Sequence, residues 1–185
     1  MYSLPQGIKL KEVGVLGNED IMLFFHAQSG ALALWNDQVF YMPPSRIELI
    51  RMDDDFEEEI VGTIEDRDFS CENVKMNLRE EEDIDIQAIY NYLLKNSVVT
   101  GAYAEDSLLC VMTETCGSVL QCDSVHAANR GLNLFLLRRD CIPLCAYRMD
   151  YPVNMTCYWY YGKCLYLLVN DSDSNSYSIL KYTLL

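Results

Sequence analysis

Histidine is nearly absent from this chain of 185 residues, which carries two. With so little imidazole, a metal or acid–base enzyme has few side chains to work with near neutral pH. Also missing is any run of roughly 18 apolar residues, so no membrane-crossing helix is expected. The opening Met1-Tyr2-Ser3-Leu4-Pro5-Gln6-Gly7 lacks the basic start and apolar stretch of a secretory signal, which predicts a protein that is not secreted and is cytoplasmic or nuclear. Neither a phosphate-cradling Gly-rich strand-to-helix turn nor a G-x-S-x-G elbow occurs. Positive charge is short as well: 14 Lys and Arg stand against 28 Asp and Glu, for a formal net charge of −14. Direct binding to DNA or RNA needs a cationic surface and is therefore not expected.

What is present argues for a folded chain. Half of the residues are hydrophobic, and 13 Tyr, 6 Phe and 2 Trp supply bulk that a disordered chain would not carry. This length accommodates a single domain over residues 1–185 with a core of its own. Eight cysteines lie between Cys71 and Cys164. In a reducing compartment, thiols set in apolar runs behave as small core residues. That cysteine usage points to a eukaryotic adaptor or a viral accessory protein.

Short apolar runs with turn residues between them predict strands. In the first third these are Ile8 to Val13, Ile21 to His26, Ala31 to Trp35, Gln38 to Met42 and Ile47 to Met52. Asn36-Asp37 joins two of them, and both residue types tolerate the positive φ of a tight hairpin. After residue 107 come Leu108 to Thr113, Ser118 to Cys122, Leu132 to Arg138, Cys141 to Tyr147, Met155 to Tyr161, Cys164 to Val169 and Tyr177 to Leu185. Gly162-Lys163 reads as a second tight turn. Between the halves, Ile86, Ile89, Tyr90, Leu93 and Leu94 share one helical face, so a helix packed on the sheet is expected near 83–98. The expected class is α+β, mostly antiparallel, with about ten short strands in a meander or a sandwich- or barrel-like arrangement. No period of 20 to 50 residues repeats clearly, although hairpins with a Trp or Tyr at the rim are similar to single blades of propeller-like proteins.

The charge is concentrated. From Glu48 to Asp85 sixteen Asp and Glu face four basic residues, a net of −12 in 38 residues. Its densest blocks are Asp53-Asp54-Asp55, Glu57-Glu58-Glu59 and Glu80-Glu81-Glu82. Such blocks cannot be buried without partners, so an acidic excursion at about 48–85 should face water or a cationic protein. No D-x-[DN]-x-[DN]-G loop is present for calcium. Mimicry of nucleic acid is an alternative use of the same charge.

Reactive chemistry has one candidate stretch, residues 116–131. A cysteine hydrolase would use Cys122 as nucleophile and His126, four residues on, as its base. A zinc site would draw on Cys116, Cys122, His126 and either Cys141 or Cys145, though only Cys141 to Cys145 has near-ligand spacing. The expectation is no cofactor, with these cysteines as strand residues. Near the C-terminal end Tyr158, Trp159 and Tyr160 stand together, and strand alternation must turn some of these rings outward. The predicted function is thus a non-catalytic protein–protein interaction module. Its partner would be another protein with a basic surface, or a second copy, bound through the acidic blocks, the Tyr/Trp-rich hairpins, or both.

Overall fold

The computed structural model describes residues 30–53, 57–71, 95–116, 130–150, 155–171 and 176–184, with the backbone alone at residues 116, 130, 155, 156 and 171. They form three antiparallel sheets. The first holds β1 (Ala31–Trp35), β2 (Gln38–Met42), β3 (Glu48–Met52) and β4 (Glu58–Thr63), in that order. The second holds β5 (Val98–Glu105), β6 (Leu108–Cys116), β7 (Arg130–Leu137) and β8 (Pro143–Asp150), and the third β9 (Met155–Tyr161), β10 (Cys164–Asp171) and β11 (Ser176–Thr183). Within each sheet every strand pairs with its sequence neighbour, so each is a meander.

Local sequence explains the turns. Asn36 and Asp37 take φ of 52° and 61°, and Gly162 and Lys163 take 59° and 56°. Both central residues of a primed two-residue hairpin need that left-handed backbone, which Asn, Asp and Gly reach at least cost. The four expected strands Ala31 to Trp35, Gln38 to Met42, Met155 to Tyr161 and Cys164 onward begin where the structure begins them.

The expected α+β class is corrected: among the described residues the chain is antiparallel β-sheet without a helical element. Most of the helix expected at 83–98 lies outside the described residues. Its last part does not: Val98 opens β5, opposite Glu114, because adjacent β-branched Val98 and Val99 fit a pleated strand better than a helix end. The expected strands Ile8 to Val13, Ile21 to His26 and Ser118 to Cys122 also lie outside the described residues.

The sheets stack face to face. Ala31, Ala33, Trp35, Phe40, Met42 and Leu49 of the first sheet pack on Leu109, Val111, Phe135 and Leu137 of the second. The opposite face of the second sheet, with Cys110, Met112, Leu132, Leu134 and Leu136, packs on Tyr160, Leu165 and Leu167 of the third. The middle sheet is buried on both sides, which is why β7 reads Leu-Asn-Leu-Phe-Leu-Leu with little alternation. The first strands of the sheets are neighbours, β1 beside β5 and β5 beside β9. Successive meanders stacked about their first strands are how propeller blades are arranged. No described helix is long and apolar enough to cross a membrane.

Polar bonds pin the sheets together. Asn133 Nδ2 donates to Asp66 Oδ2 at 2.8 Å, Arg148 pairs with Asp68, and Lys163 N–H donates to Glu105 Oε2 at 3.1 Å. A backbone bond from Ser97 N–H to Ser70 C=O at 2.7 Å, with Ser70 N–H on Ser97 Oγ at 3.0 Å, anchors the segment leaving β4.

Candidate interaction surface

The acidic segment divides into two parts with different fates. Asp53, Glu57, Glu58 and Glu59 are exposed where β3 turns into β4. Asp53 Oδ1 accepts from Glu57 N–H at 2.8 Å, and Asp53 N–H donates to Glu57 C=O at 3.2 Å, closing the turn. Arg51 pairs with Glu59 beside them, and with Gln38 these residues line an open depression of about 210 Å³. Further on, Asp66 and Asp68 turn back to Asn133 and Arg148, so their charge is used inside the molecule. Asp54, Asp55, Glu80, Glu81 and Glu82 lie outside the described residues. The outward part of the acidic segment among the described residues is therefore the turn at Asp53 and Glu57 to Glu59, tempered by Arg51, together with the exposed Glu65.

The aromatic cluster also divides. Tyr158 faces the second core and donates to Glu114 Oε1 at 3.0 Å. Tyr160 is buried in that core, which raises its phenol to about 12 chiefly by desolvation, with Cys110 and Glu105 adding to the rise. Trp159, one residue between them, points the other way. It stacks on Tyr166 with ring centroids 5.4 Å apart and planes 10° from parallel, and Lys181 Nζ sits 5.8 Å from the Tyr166 centroid. The register explains the grouping, since Tyr166 pairs with Trp159 on one side and Lys181 on the other. The same face carries Tyr161, Tyr177 and Ile179, which are 71%, 65% and 62% exposed. Sequence reasoning had Trp159 but not Tyr166, Tyr177, Ile179 or Lys181; their signal was the i, i+2 alternation along β10 and β11.

At the other end of the stack, the outward face of the first sheet is mixed: by register Tyr41 and Glu58 stand among its aliphatic side chains, and Ile50 on it is only 9% exposed. Leu32, Leu34 and Ile60 are 66%, 68% and 60% exposed, with Val39 and Met52 beside them by register.

The candidate chemistry does not assemble among the described residues. Cys122 and His126 lie outside them, as does the side chain of Cys116. Cys141 packs against the first core and Cys145 against the second, so these two thiols do not converge on one metal position. Partial burial raises the Cys141 thiol, an effect that Arg51 opposes and Asp140 reinforces. Cys110 is buried and its thiol is pushed well above the ordinary range by desolvation, which leaves a small inert core residue. No group of three or more His, Cys, Asp or Glu side chains able to hold a metal ion occurs among the described residues.

The fold has a crystallographic likeness. A member of the DUF4221 family from Bacteroides vulgatus superposes with a TM-score of 0.58 at 10% sequence identity, over 84% of this chain and 46% of that one. At that identity the likeness is one of fold alone. This chain thus spans about half the length of the structure it matches. No family model and no curated protein matches the sequence.

Proposed function

We propose that this chain is a non-catalytic protein-interaction module whose binding surface is the outward face of the third sheet. The observation that carries the reading is the Trp159–Tyr166 stack with Lys181 beside it, set among exposed Tyr161, Tyr177 and Ile179. Large aromatic side chains lose little conformational freedom on binding and supply much of the contact energy at protein interfaces. A contiguous apolar face of this kind is seldom left open to water without a use. The acidic turn at Asp53 and Glu57 to Glu59 adds a second element, electrostatic steering of a partner with a basic surface.

The test is affinity purification from a eukaryotic lysate at low and moderate salt. Trp159→Ala, in which a half-buried ring is removed from the surface, should lose the proteins that the parent chain retains. The reversal Glu57→Lys, Glu58→Lys, Glu59→Lys should lose them at low salt first, because screening already removes most of the steering at moderate salt. An identical set of retained proteins for the parent and both variants would reject the module reading.

A further inference from the structure

Where the segment leaving β4 meets β7 and β8, it borders an open cleft of about 130 Å³. The polar walls are Asp66, Asp68, Asn133 and Arg148, and Phe135, Ala146 and Tyr147 supply the rest. We infer that this cleft binds a primary alkylammonium group, the head of a lysine side chain or of a small free amine, between Asn133 and Asp66. Phe135 packs toward the first sheet, on the side of the second sheet away from the third, so the cleft is separate from the Trp159 face.

Asn133 supplies the acceptor. It is 4% exposed, yet its side-chain carbonyl Oδ1 has no hydrogen-bond partner among the described residues. The amide is oriented by its other end, because Nδ2 donates to Asp66 Oδ2 at 2.8 Å and a carboxylate accepts. The neighbouring strand does not satisfy the carbonyl: Thr113, directly opposite on β6, is fully buried and its hydroxyl is also without a partner among the described residues. A buried carbonyl in that condition favours a ligand that brings an N–H.

Charge selects which N–H. Asp68 pairs with Arg148, and the two cancel. Asp66 is held by two neutral donors, Asp68 N–H on Oδ1 at 3.0 Å and Asn133 on Oδ2, which support its charge without cancelling it. Arg67, between the aspartates in sequence, lines a different depression with Arg46 and Glu48. Two carboxylates and one guanidinium thus leave the cleft one negative charge in surplus. A monocation balances that surplus, whereas a divalent ion would overshoot it beside a guanidinium and find too few oxygen ligands. An ammonium offers three N–H donors and no acceptor. One donor reaches Asn133 Oδ1 and another the spare lone pairs of Asp66, with the alkyl neck along Phe135 and Ala146.

Titration of the full chain with n-propylammonium chloride, followed by nitrogen–proton NMR, tests the assignment. The side-chain amide of Asn133 and the backbone amide of Asp68 should shift and saturate with a Kd of about 1 mM, as suits a ligand of few atoms in an open cleft. Tetramethylammonium, which has the charge but no N–H, and sodium at the same ionic strength should each bind at least about tenfold more weakly. Asn133→Leu replaces the amide with an apolar chain of similar size, and Asp66→Asn removes the surplus charge. Each should weaken propylammonium binding at least about tenfold, read at the Asp68 amide, the loss expected for one charge-assisted hydrogen bond. Nα-acetyl-lysine N-methylamide separates the two sources: binding tighter than propylammonium assigns the cleft to a lysine of a protein partner, and equal or weaker binding assigns it to a free amine. No saturating shift in the parent, equal binding of tetramethylammonium, or an unchanged affinity in either variant would overturn the assignment. The first of these is what water alone at Asn133 would give. Trp159→Ala should bind propylammonium as the parent does, so this site and the module reading fail separately.

Discussion

Tyr160 brings into the second core a hydroxyl that has no hydrogen-bond partner among the described residues. A buried hydroxyl left in that condition costs about 1–3 kcal/mol of desolvation, so Tyr160→Phe should raise stability by about 1 kcal/mol at neutral pH. The same burial sets a pH dependence. Folded Tyr160 titrates at about 12 against an ordinary value of 10.0, so the folded state holds its proton more tightly than the unfolded chain. Its contribution is therefore complete below pH 10 and falls away as the pH rises toward 12, where unfolding lets the phenol ionise. Urea titrations of the parent at rising pH should show the midpoint dropping over that interval. The drop should be smaller in Tyr160→Phe, without vanishing, because burial also raises Tyr103. Equal drops in both proteins would show that Tyr160 is not the group responsible.

Hairpins are the elements that the sequence states most plainly, because two adjacent residues must accept left-handed backbone and few residue types do so cheaply. Asp37, at φ 61°, occupies the second of those positions, where glycine carries no Cβ strain. Asp37→Gly should stabilise the first sheet by up to about 1 kcal/mol, seen as a higher urea midpoint with an unchanged slope. A lower midpoint would mean that the aspartate side chain holds the turn. Strands β4 and β5 were not legible for opposite reasons. β4 opens Glu-Glu and lies at the edge of its sheet, where charge discourages further pairing and masks the alternation of a strand. β5 begins inside a run whose apolar spacing suits a helix, and only its burial beside β1 decides the matter. The candidate surface was half legible for a related reason. Alternation separates the residues of β9 into two sets, Tyr158 and Tyr160 against Trp159 and Tyr161, but it does not say which set a neighbouring sheet will cover. That depends on β10 and β11, whose register brings Tyr166 and Lys181 to Trp159.

For the whole molecule the dominant long-range quantity is the net charge of −14, which acts against compaction and against association of like copies alike. Ion pairs between described residues, Arg46–Glu48 at 2.9 Å, Arg138–Asp140 at 3.0 Å, Arg51–Glu59 and Arg148–Asp68, are partly exposed, and pairs of that kind contribute little. Apolar burial on both faces of the middle sheet must therefore outweigh the repulsion. Salt separates the two terms. Raising ionic strength from about 0.01 M to about 0.15 M shortens the Debye length from about 30 Å to about 8 Å, which screens repulsion and leaves burial almost untouched. The thermal midpoint of the chain should accordingly rise over that range. A midpoint that stays flat or falls over that range would show that repulsion among the carboxylates is not the force that opposes folding.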